Sequence, residues 1–302
     1  MTAKLRSLIG IEPLDSRQIL AILKLAKQMN PARPRTILRG HRIALLFYEN
    51  STRTRTSFEI AAKSLGASTV VIHATTASIE KGESLKDTGR TLQSIVDAIV
   101  VRHPSSGAPV LLSRVIDIPI VNAGDGMHAH PSQALLDAFT ILNHKKSLKG
   151  LKIVTIGDIF HSRVARSDAH LFSKLGAKVV FCGPDVLLPE TARELAPGVE
   201  IERDMETALH GADVVMMLRV QQERLHGMQI NVDEYIRRYQ LTASRLKLAK
   251  RNAIVMHPGP MIRGMEMTDE VADCPQSVVL EQVLNGVKVR MAILATLLGG
   301  KR

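Results

Sequence analysis

Residues 42–66 read RIALLFYENSTRTRTSFEIAAKSLG, and this stretch indicates the fold class of the chain. Its first part, Arg42–Tyr48, has the length and the apolar character of a buried strand. Four later apolar residues recur at the i, i+3, i+4, i+7 spacing of one helical face: Phe58, Ala61, Ala62 and Leu65. A helix therefore begins within the hydroxyl-rich stretch and ends at Gly66. A strand that leads directly into a helix is the building unit of a parallel α/β sheet.

The segment Ser51–Thr56 joins this strand to this helix and combines hydroxyl groups with Arg53 and Arg55. A helix start offers free N–H groups and the positive end of the helix dipole, so with hydroxyls and a guanidinium it suits a tetrahedral dianion. The alternative is a capping segment, because Ser and Thr often cap helices. The segment is not a P-loop, because the glycines and the Gly-Lys-Ser/Thr ending are missing.

Apolar runs of strand length alternate with segments of helical period along the rest of the chain. Besides Arg42–Tyr48, the predicted strands are Thr69–His73, Ala98–Arg102, Pro119–Asn122, Lys152–Ile156, Lys178–Cys182, Asp213–Leu218 and Ala253–His257. The other predicted helices cover about residues 15–29, 85–96, 131–142, 163–175, 205–210, 242–250, 276–284 and 287–298.

The chain becomes short of apolar residues around Lys145–Lys149, and we expect a domain switch there. The predicted domains are residues 1–145 and 146–284, with a C-terminal helix of about 285–302 expected to pack back on the first domain. The predicted fold class is α/β, with two domains that each contain a mainly parallel sheet flanked by helices. Ligands are expected at the carboxyl ends of the strands, in the cleft between the domains.

The formal net charge of +11 fits either a nucleic-acid binder or an enzyme that takes small polyanions. Six Phe, three Tyr and no Trp leave few surfaces on which bases could stack. The densest basic cluster, Lys146–Lys152, is short and interrupted. We therefore expect no nucleic-acid partner.

The chain shows no sign of a membrane or of an oxidising compartment. It has no run of about 20 apolar residues, and Met1–Ser7 lacks the features of a signal peptide. Cys182 and Cys274 are too few for a disulfide framework. A cytoplasmic protein without a membrane partner is the expectation.

Polar side chains follow two further strands, and each group alone is a weak signal. Arg102 closes one predicted strand, and His128, His130 and Gln133 follow the next. The arginine could be a solvated strand end, and a histidine before a helix could be only a cap. Two imidazoles two positions apart could share a zinc ion, but no cysteine and no HExxH pairing lies near them. We predict no metal site.

A resemblance to a known family runs in order over nearly the whole chain, from about Leu8 to Leu298, and eight segments carry it. They are FYENSTRTR (47–55), KGESLKDT (81–88), VRHP (101–104), NAGDG (122–126), HPSQALLD (130–137), DIFHSR (158–163), LRVQQER (218–224) and HPGP (257–260). Together they resemble the carbamoyltransferase family. The chain lacks the Ser-Met-Gly loop and the His-Cys-Leu-Pro motif of the ornithine branch, and Arg219-Val-Gln221 is similar to the aspartate branch.

The resemblance implies transfer of the carbamoyl group of carbamoyl phosphate to the amino group of L-aspartate, the second step of de novo pyrimidine synthesis, without a cofactor. It implies phosphate binding by Ser51, Thr52, Arg53 and Thr54. It implies contacts to the carbamoyl oxygen from Thr54, Arg102 and His130, which with Arg53 form the catalytic set. The carbamoyl NH2 would contact Gln133 and the backbone around Pro258, Gly259 and Pro260.

For aspartate, the resemblance implies that Arg163 and Lys81 hold the α-carboxylate and that Arg219 and Gln221 hold the side-chain carboxylate. An arginine suits this task because it grips a carboxylate bidentately and repels ornithine. Without the resemblance, Arg219 could equally well be a plain strand end.

The resemblance also implies features beyond one pocket. Glu49 with Arg163 and Arg224 would form ion pairs that hold a closed state. The loop of Lys81 would reach a neighbouring subunit, so that a homotrimer shares its active sites. Ala77 stands where many relatives have serine, and adjacent Ser78 could replace it. Regulatory or dihydroorotase subunits are possible further partners. Two alternatives to the implied activity stay open: a carbamoyltransferase for another amine substrate, and a family member without catalytic activity.

Overall fold

The computed structural model describes residues 5–73, 82–221 and 230–299. Its contacts divide the chain into two compact units. One comprises the chain up to Phe139 together with the residues from Val283 onward, and the other is Thr140–Gln282. This division falls a few residues before the predicted switch at residue 145.

The first unit contains a parallel sheet of four strands among the described residues, in the order β2-β1-β3-β4. The strands are β1 (Arg42–Phe47), β2 (Ser68–His73), β3 (Ala98–His103) and β4 (Ile120–Asp125). The helices are α1 (Ser16–Lys27), α2 (Thr52–Ser64), α3 (Leu85–Gln93), α4 (Ala108–Val115) and α5 (Pro131–His144). The strand–helix alternation follows the sequence prediction, and α1 begins next to the predicted start at residue 15, where Asp15 and Gln18 form a capping box.

The second unit contains a parallel sheet of five strands among the described residues, in the order β7-β6-β5-β8-β9. The strands are β5 (Lys152–Ile156), β6 (Lys178–Cys182), β7 (Glu200–Ile201), β8 (Val214–Met217) and β9 (Ile254–Met256). The helices are α6 (Arg163–Lys174), α7 (Met205–Leu209), α8 (Val232–Tyr239), α9 (Ala243–Leu246) and α10 (Asp269–Ala272), and two 3-10 turns cover Asp185–Leu187 and Glu190–Leu195.

The last helix, α11 (Val279–Leu298), corrects the sequence prediction of two separate segments. Gly286 lies inside this helix and does not end it. A glycine costs a helix interior about 1 kcal/mol, which packing can outweigh. The predicted start at residue 276 was also too early, because Ser277 forms a parallel bridge with Val255 before the helix begins.

Three α-helices of the described residues have no counterpart in the sequence prediction: α4, α8 and α10. In α4 the start is made by Gly107, which has φ +86 and therefore adopts a left-handed conformation. Pro109 then lies in the first turn of the helix, where its missing N–H costs nothing. The sequence prediction contains the strands β3 and β4 that flank α4, but it does not contain this short helix.

Both units bury mainly aliphatic cores. In the first unit the core includes Ala44, Leu46, Ile99, Val101 and Ile120 from three strands of the sheet. In the second unit it includes Val154, Ile156, Val215 and Met217, with the fully enclosed Tyr235 as a large member. In the described part of the chain, no helix is both long and apolar enough to span a membrane.

Candidate active site

The segment Ser51–Thr56 lies at the carboxyl end of β1 and forms the first turn of α2, as predicted. Ser51 is the N-cap residue, but its side chain makes no capping hydrogen bond in the described structure. This argues against the capping alternative and leaves the first N–H groups of a 13-residue helix for a ligand. Thr54 is buried, whereas Thr52 and Arg53 are exposed.

Arg102 lies beside this segment because β3 pairs with β1 in a register that aligns Arg102 with Phe47. The Arg102 carbonyl accepts a hydrogen bond of 2.9 Å from the Tyr48 N–H. The Arg102 Nε atom donates to Glu49 Oε2 at 3.1 Å. The ion pair is largely buried, so the guanidinium has a fixed position at the sheet edge.

Glu49 thus contacts Arg102 within the first unit. Its predicted ion pairs with Arg163 and Arg224 stay a prediction, because Arg224 lies outside the described residues. The predicted aspartate ligand Lys81 lies outside them as well, together with Ala77 and Ser78.

The loop between β4 and α5 is organised by Asp125, which is fully buried. Its Oδ1 atom accepts from Asn122 Nδ2 at 2.8 Å and from the Ala129 N–H at 3.1 Å. Its Oδ2 atom accepts from the Gly107 N–H at 2.7 Å and contacts His128 Nδ1 at 3.1 Å. The ring of His128 is therefore engaged with this carboxylate. The described residues contain no cluster of three or more metal-ligating side chains.

His130 follows this loop directly and precedes the first residue of α5. The imidazole is only 4% exposed, and its Nδ1 atom lies 3.4 Å from Ser132 Oγ. One turn into the helix, Gln133 Nε2 donates to both carboxylate oxygens of Asp137, each at 3.2 Å. The structure therefore places Arg53, Thr54, Arg102, His130 and Gln133 on three consecutive carboxyl-end segments of one parallel sheet.

In the second unit, Asp158 follows the carboxyl end of β5, and its carboxylate bonds to His161 in the same loop and to Gln221 after β8. Its Oδ1 atom accepts from the His161 N–H at 3.0 Å and contacts His161 Nδ1 at 2.9 Å. Its Oδ2 atom accepts from the Gln221 N–H at 3.2 Å. The Gln221 side chain donates to the His161 carbonyl at 3.1 Å. Gly157 permits this approach, because a Cβ atom there would lie 2.7 Å from the Leu218 carbonyl oxygen.

Arg163 is the first residue of α6 and is buried, after Ser162 caps the helix by accepting from the Ala165 N–H at 3.1 Å. Arg219 follows β8, so both predicted aspartate ligands lie after carboxyl ends of this sheet. Gly259 and Pro260 follow β9 and are joined by a cis peptide bond. The Gly259 N–H donates to His257 Nδ1 at 2.8 Å.

Glu266 is a site neighbour that the sequence prediction missed. It is fully buried and accepts from the Val220 N–H at 3.3 Å and from the Ile262 N–H at 2.6 Å. Burial raises the pKa of its carboxyl to about 7, although the two N–H donors and the charge of Arg219 act in the opposite direction. A single acidic residue between two methionines has no sequence signature that would have identified it.

Two sequence models of one family match the chain. The carbamoyl-P binding domain of aspartate/ornithine carbamoyltransferase matches residues 6–143. The Asp/Orn binding domain of the same family matches residues 149–297. These matches agree with the two α/β units and confirm the predicted fold class.

Several named relatives are similar to the chain over nearly its whole length. The aspartate carbamoyltransferase catalytic subunit of Koribacter versatilis is 63% identical over 296 residues, which cover 98% of each chain. That of Solibacter usitatus is 55% identical over 298 residues, or 97% of this chain and 99% of the relative.

Solved structures of both branches share the fold. Aspartate transcarbamoylase from Trypanosoma cruzi, in complex with carbamoyl aspartate and phosphate, has a TM-score of 0.89 at 34% identity and covers 97% of this chain and 96% of its own. Ornithine carbamoyltransferase from Pyrococcus furiosus has a TM-score of 0.90 at 32% identity and covers 98% of both chains. The chain belongs to the aspartate/ornithine carbamoyltransferase family.

Proposed function

We propose that the chain transfers the carbamoyl group of carbamoyl phosphate to the amino group of L-aspartate, giving N-carbamoyl-L-aspartate and phosphate. The observation that carries this proposal is the uncapped, hydroxyl- and arginine-rich start of α2, with Arg102 fixed beside it. The names of the 63% and 55% identical relatives favour aspartate over ornithine as the acceptor. Formation of carbamoyl aspartate is the reaction that feeds pyrimidine synthesis.

In the first unit, Ser51, Thr52, Arg53 and Thr54 bind the phosphate group of carbamoyl phosphate. Thr54, Arg102 and His130 donate to the carbamoyl oxygen and stabilise the negative charge that develops on it. Gln133 contacts the carbamoyl NH2, as does the backbone around Gly259 and Pro260.

In the second unit, Arg163 binds the α-carboxylate of aspartate, and Lys81 from a neighbouring subunit binds it as well. Arg219 and Gln221 bind the side-chain carboxylate. The contacts of Gln221 with Asp158 and His161 hold it in place for this role. A guanidinium at position 219 attracts the second carboxylate and repels the cationic side chain of ornithine.

The aspartate nitrogen attacks the carbamoyl carbon and forms the new C–N bond. The C–O bond to phosphate breaks, and its electron pair remains on the phosphate oxygen. The departing phosphate takes the proton that the amine loses, and His130 polarises the carbonyl without abstracting that proton. Holding two polyanions at reacting distance is the main catalytic contribution, which can supply roughly 7–11 kcal/mol.

The test is carbamoyl transfer from carbamoyl phosphate, with aspartate and ornithine as parallel acceptors. Carbamoyl aspartate should form, while ornithine should give no product above background. Equal or exclusive use of ornithine would refute the assigned acceptor. No turnover with either acceptor, from folded protein, would indicate another substrate or a silent subunit.

We propose further that the active form is a homotrimer with shared sites, to which Lys81 of a neighbouring subunit contributes. Mixing the inactive Arg53→Ala and Lys81→Ala variants should then restore part of the activity, because some hybrid sites carry neither change. Verified subunit exchange without returning activity would contradict the shared site.

A cytoplasmic location is supported by the two free cysteines, Cys182 and Cys274.

A further inference from the structure

Arg290 is an arginine of α11 that lies almost wholly inside the first unit, with 4% of its surface exposed. Removing a guanidinium from water costs several kcal/mol unless nearby groups compensate for the lost hydration. Its Nε atom has no hydrogen-bond partner among the described residues. A buried charge with incomplete hydrogen bonding is a poor device for stability alone, so its surroundings indicate another use.

The guanidinium contacts the helix that carries the phosphate-binding segment. The Arg290 Cζ atom lies 5.0 Å from the centre of the Phe58 ring, a cation–π distance. Phe58 belongs to α2 and lies one turn after Thr54. Room for the guanidinium comes from Gly286, since a Cβ atom there would lie 2.5 Å from Arg290 Nη1 and 3.3 Å from Leu136 Cδ2.

The guanidinium is also within electrostatic range of Asp137, which is fully buried and adjacent to Leu136 on α5. Burial lowers the pKa of Arg290 to about 10; the carboxylate of Asp137 opposes this shift, and the charge of Arg102 adds to it. Arg290 thus supplies positive charge beside a carboxylate that has no access to water.

Asp137 in turn decides which way the Gln133 amide points. An ionised carboxylate only accepts hydrogen bonds, and both Asp137 oxygens lie 3.2 Å from Gln133 Nε2. The amide NH2 is therefore occupied by Asp137, and the carbonyl Oε1 of Gln133 is left to accept. An acceptor is what the NH2 of a carbamoyl group requires.

We propose that Arg290 is a positioning residue for carbamoyl transfer: its buried guanidinium compensates the charge of the buried Asp137 carboxylate, and Asp137 holds the Gln133 carbonyl toward the carbamoyl NH2. The inference rests on the proposed function and on the role of Gln133 in it. Without the guanidinium, the buried Asp137 carboxylate would lose a favourable charge interaction, and it would hold the Gln133 amide less firmly.

The experiment is a double-variant cycle on kcat/KM for carbamoyl phosphate, measured in the otherwise intact protein. Arg290→Met should lower kcat/KM on the order of tenfold to a hundredfold, because small misplacements near the reacting atoms have effects of this size. Arg290→Lys keeps the charge and should recover most of the loss. Lys288→Met removes a charge from the same helix and should stay near the wild type.

Gln133→Ala separates a positioning role from a merely structural one. If Arg290 acts through Gln133, the double variant Arg290→Met with Gln133→Ala should be no worse than Gln133→Ala alone. The proposal would be overturned if the double variant lost kcat/KM by the product of the two single-variant factors. It would also be overturned if Arg290→Lys lost as much kcat/KM as Arg290→Met.

A second route covers the case that Arg290→Met fails to fold. Gly286→Ala keeps every charge but pushes the guanidinium through the new Cβ atom, and it should show the same non-additivity with Gln133→Ala. An additive result here would equally overturn the proposal. Wild-type turnover with aspartate is measured first, so a failure of the proposed function would be recognised separately from a failure of this inference.

Discussion

At the scale of single residues, the proposed site depends on side chains whose neighbours decide what they can do. Arg53 is exposed at the start of α2, whereas Thr54 beside it is buried. Ser57 Oγ donates to the carbonyls of Arg53 and Thr54 at 2.7 and 2.9 Å, which steadies the first turn. The exposed guanidinium is therefore free to meet a phosphate at a helix N-terminus.

Arg53→Ala should lower kcat by a factor on the order of a hundred to a thousand, because a charged donor to the phosphate leaving group is lost. Steady-state kinetics at saturating carbamoyl phosphate and aspartate measures this. Lys63→Ala removes a cation from the exposed end of the same helix and should leave kcat near the wild type. Near-normal turnover of Arg53→Ala would remove this residue from the site.

Glu266 predicts a pH dependence of stability. Its pKa of about 7 in the folded protein is above the ordinary value of 4.5, so between these values the folded state binds more protons than the unfolded state. Stability from this group is therefore present below pH 4.5 and is lost as the pH rises toward 7. The slope cannot exceed about 1.4 kcal/mol per pH unit for one group.

The free energy of unfolding in urea, followed from pH 5 to 8, checks this expectation. The wild type should lose stability relative to Glu266→Gln as the pH rises, since the amide does not titrate. Glu270→Gln, an exposed neighbour, should keep the wild-type slope. Parallel curves for the wild type and Glu266→Gln would contradict the raised pKa.

At the scale of elements, the carboxyl ends of parallel strands collect residues that are distant in the chain. Asp158 after β5 and Gln221 after β8 are 63 positions apart, yet a backbone N–H of one donates to the carboxylate of the other. His161 links the same two segments through its carbonyl and its ring. The proposed aspartate ligand Gln221 is therefore held by a loop from a different βα unit.

His161→Ala should raise the KM for aspartate about tenfold, because it removes a buried partner of Asp158 and loosens the loop against which Gln221 is held. The KM for carbamoyl phosphate should stay within about twofold of the wild type. His210→Ala, an exposed histidine of the same unit, is the matched control. Equal changes in both KM values would show a general loss of structure instead.

At the scale of the whole molecule, the formal net charge of +11 affects the rate at which charged substrates reach the protein, and it does not determine the fold. Both proposed substrates are anions at neutral pH. We expect the basic residues at the strand ends of the two units to attract them. Salt screens charges that are more than about 8 Å apart at physiological ionic strength.

We expect kcat/KM for carbamoyl phosphate to fall several-fold between about 0.02 and 0.5 M of a non-coordinating salt, through slower encounter. The value of kcat at saturating substrates should change little over the same range. A kcat that falls in parallel with kcat/KM would instead indicate an effect of salt on the chemical step or on folding.

The sequence by itself determined the strand–helix alternation, since apolar runs and helical periodicity are local properties, and it indicated the family from eight ordered segments. It also named the residues at the strand ends, because a strand ends where its apolar run ends. The resemblance placed Glu49 in ion pairs with Arg163 and Arg224, which stay a prediction, and the structure adds an ion pair between Glu49 and Arg102 of the neighbouring strand.

Only the tertiary structure decided which partners those residues have. Asp125 binds groups from three segments, and Glu266 accepts from the Val220 and Ile262 N–H groups and feels the charge of Arg219. Arg290, near the end of the chain, packs against Phe58 and interacts electrostatically with Asp137. Part of the compensation of these buried charges comes from residues that are distant in sequence, as for Gly107 at Asp125 and Gln221 at Asp158. Sheet order, strand register and the continuity of α11 through Gly286 bring those residues together, and none of these is a local property.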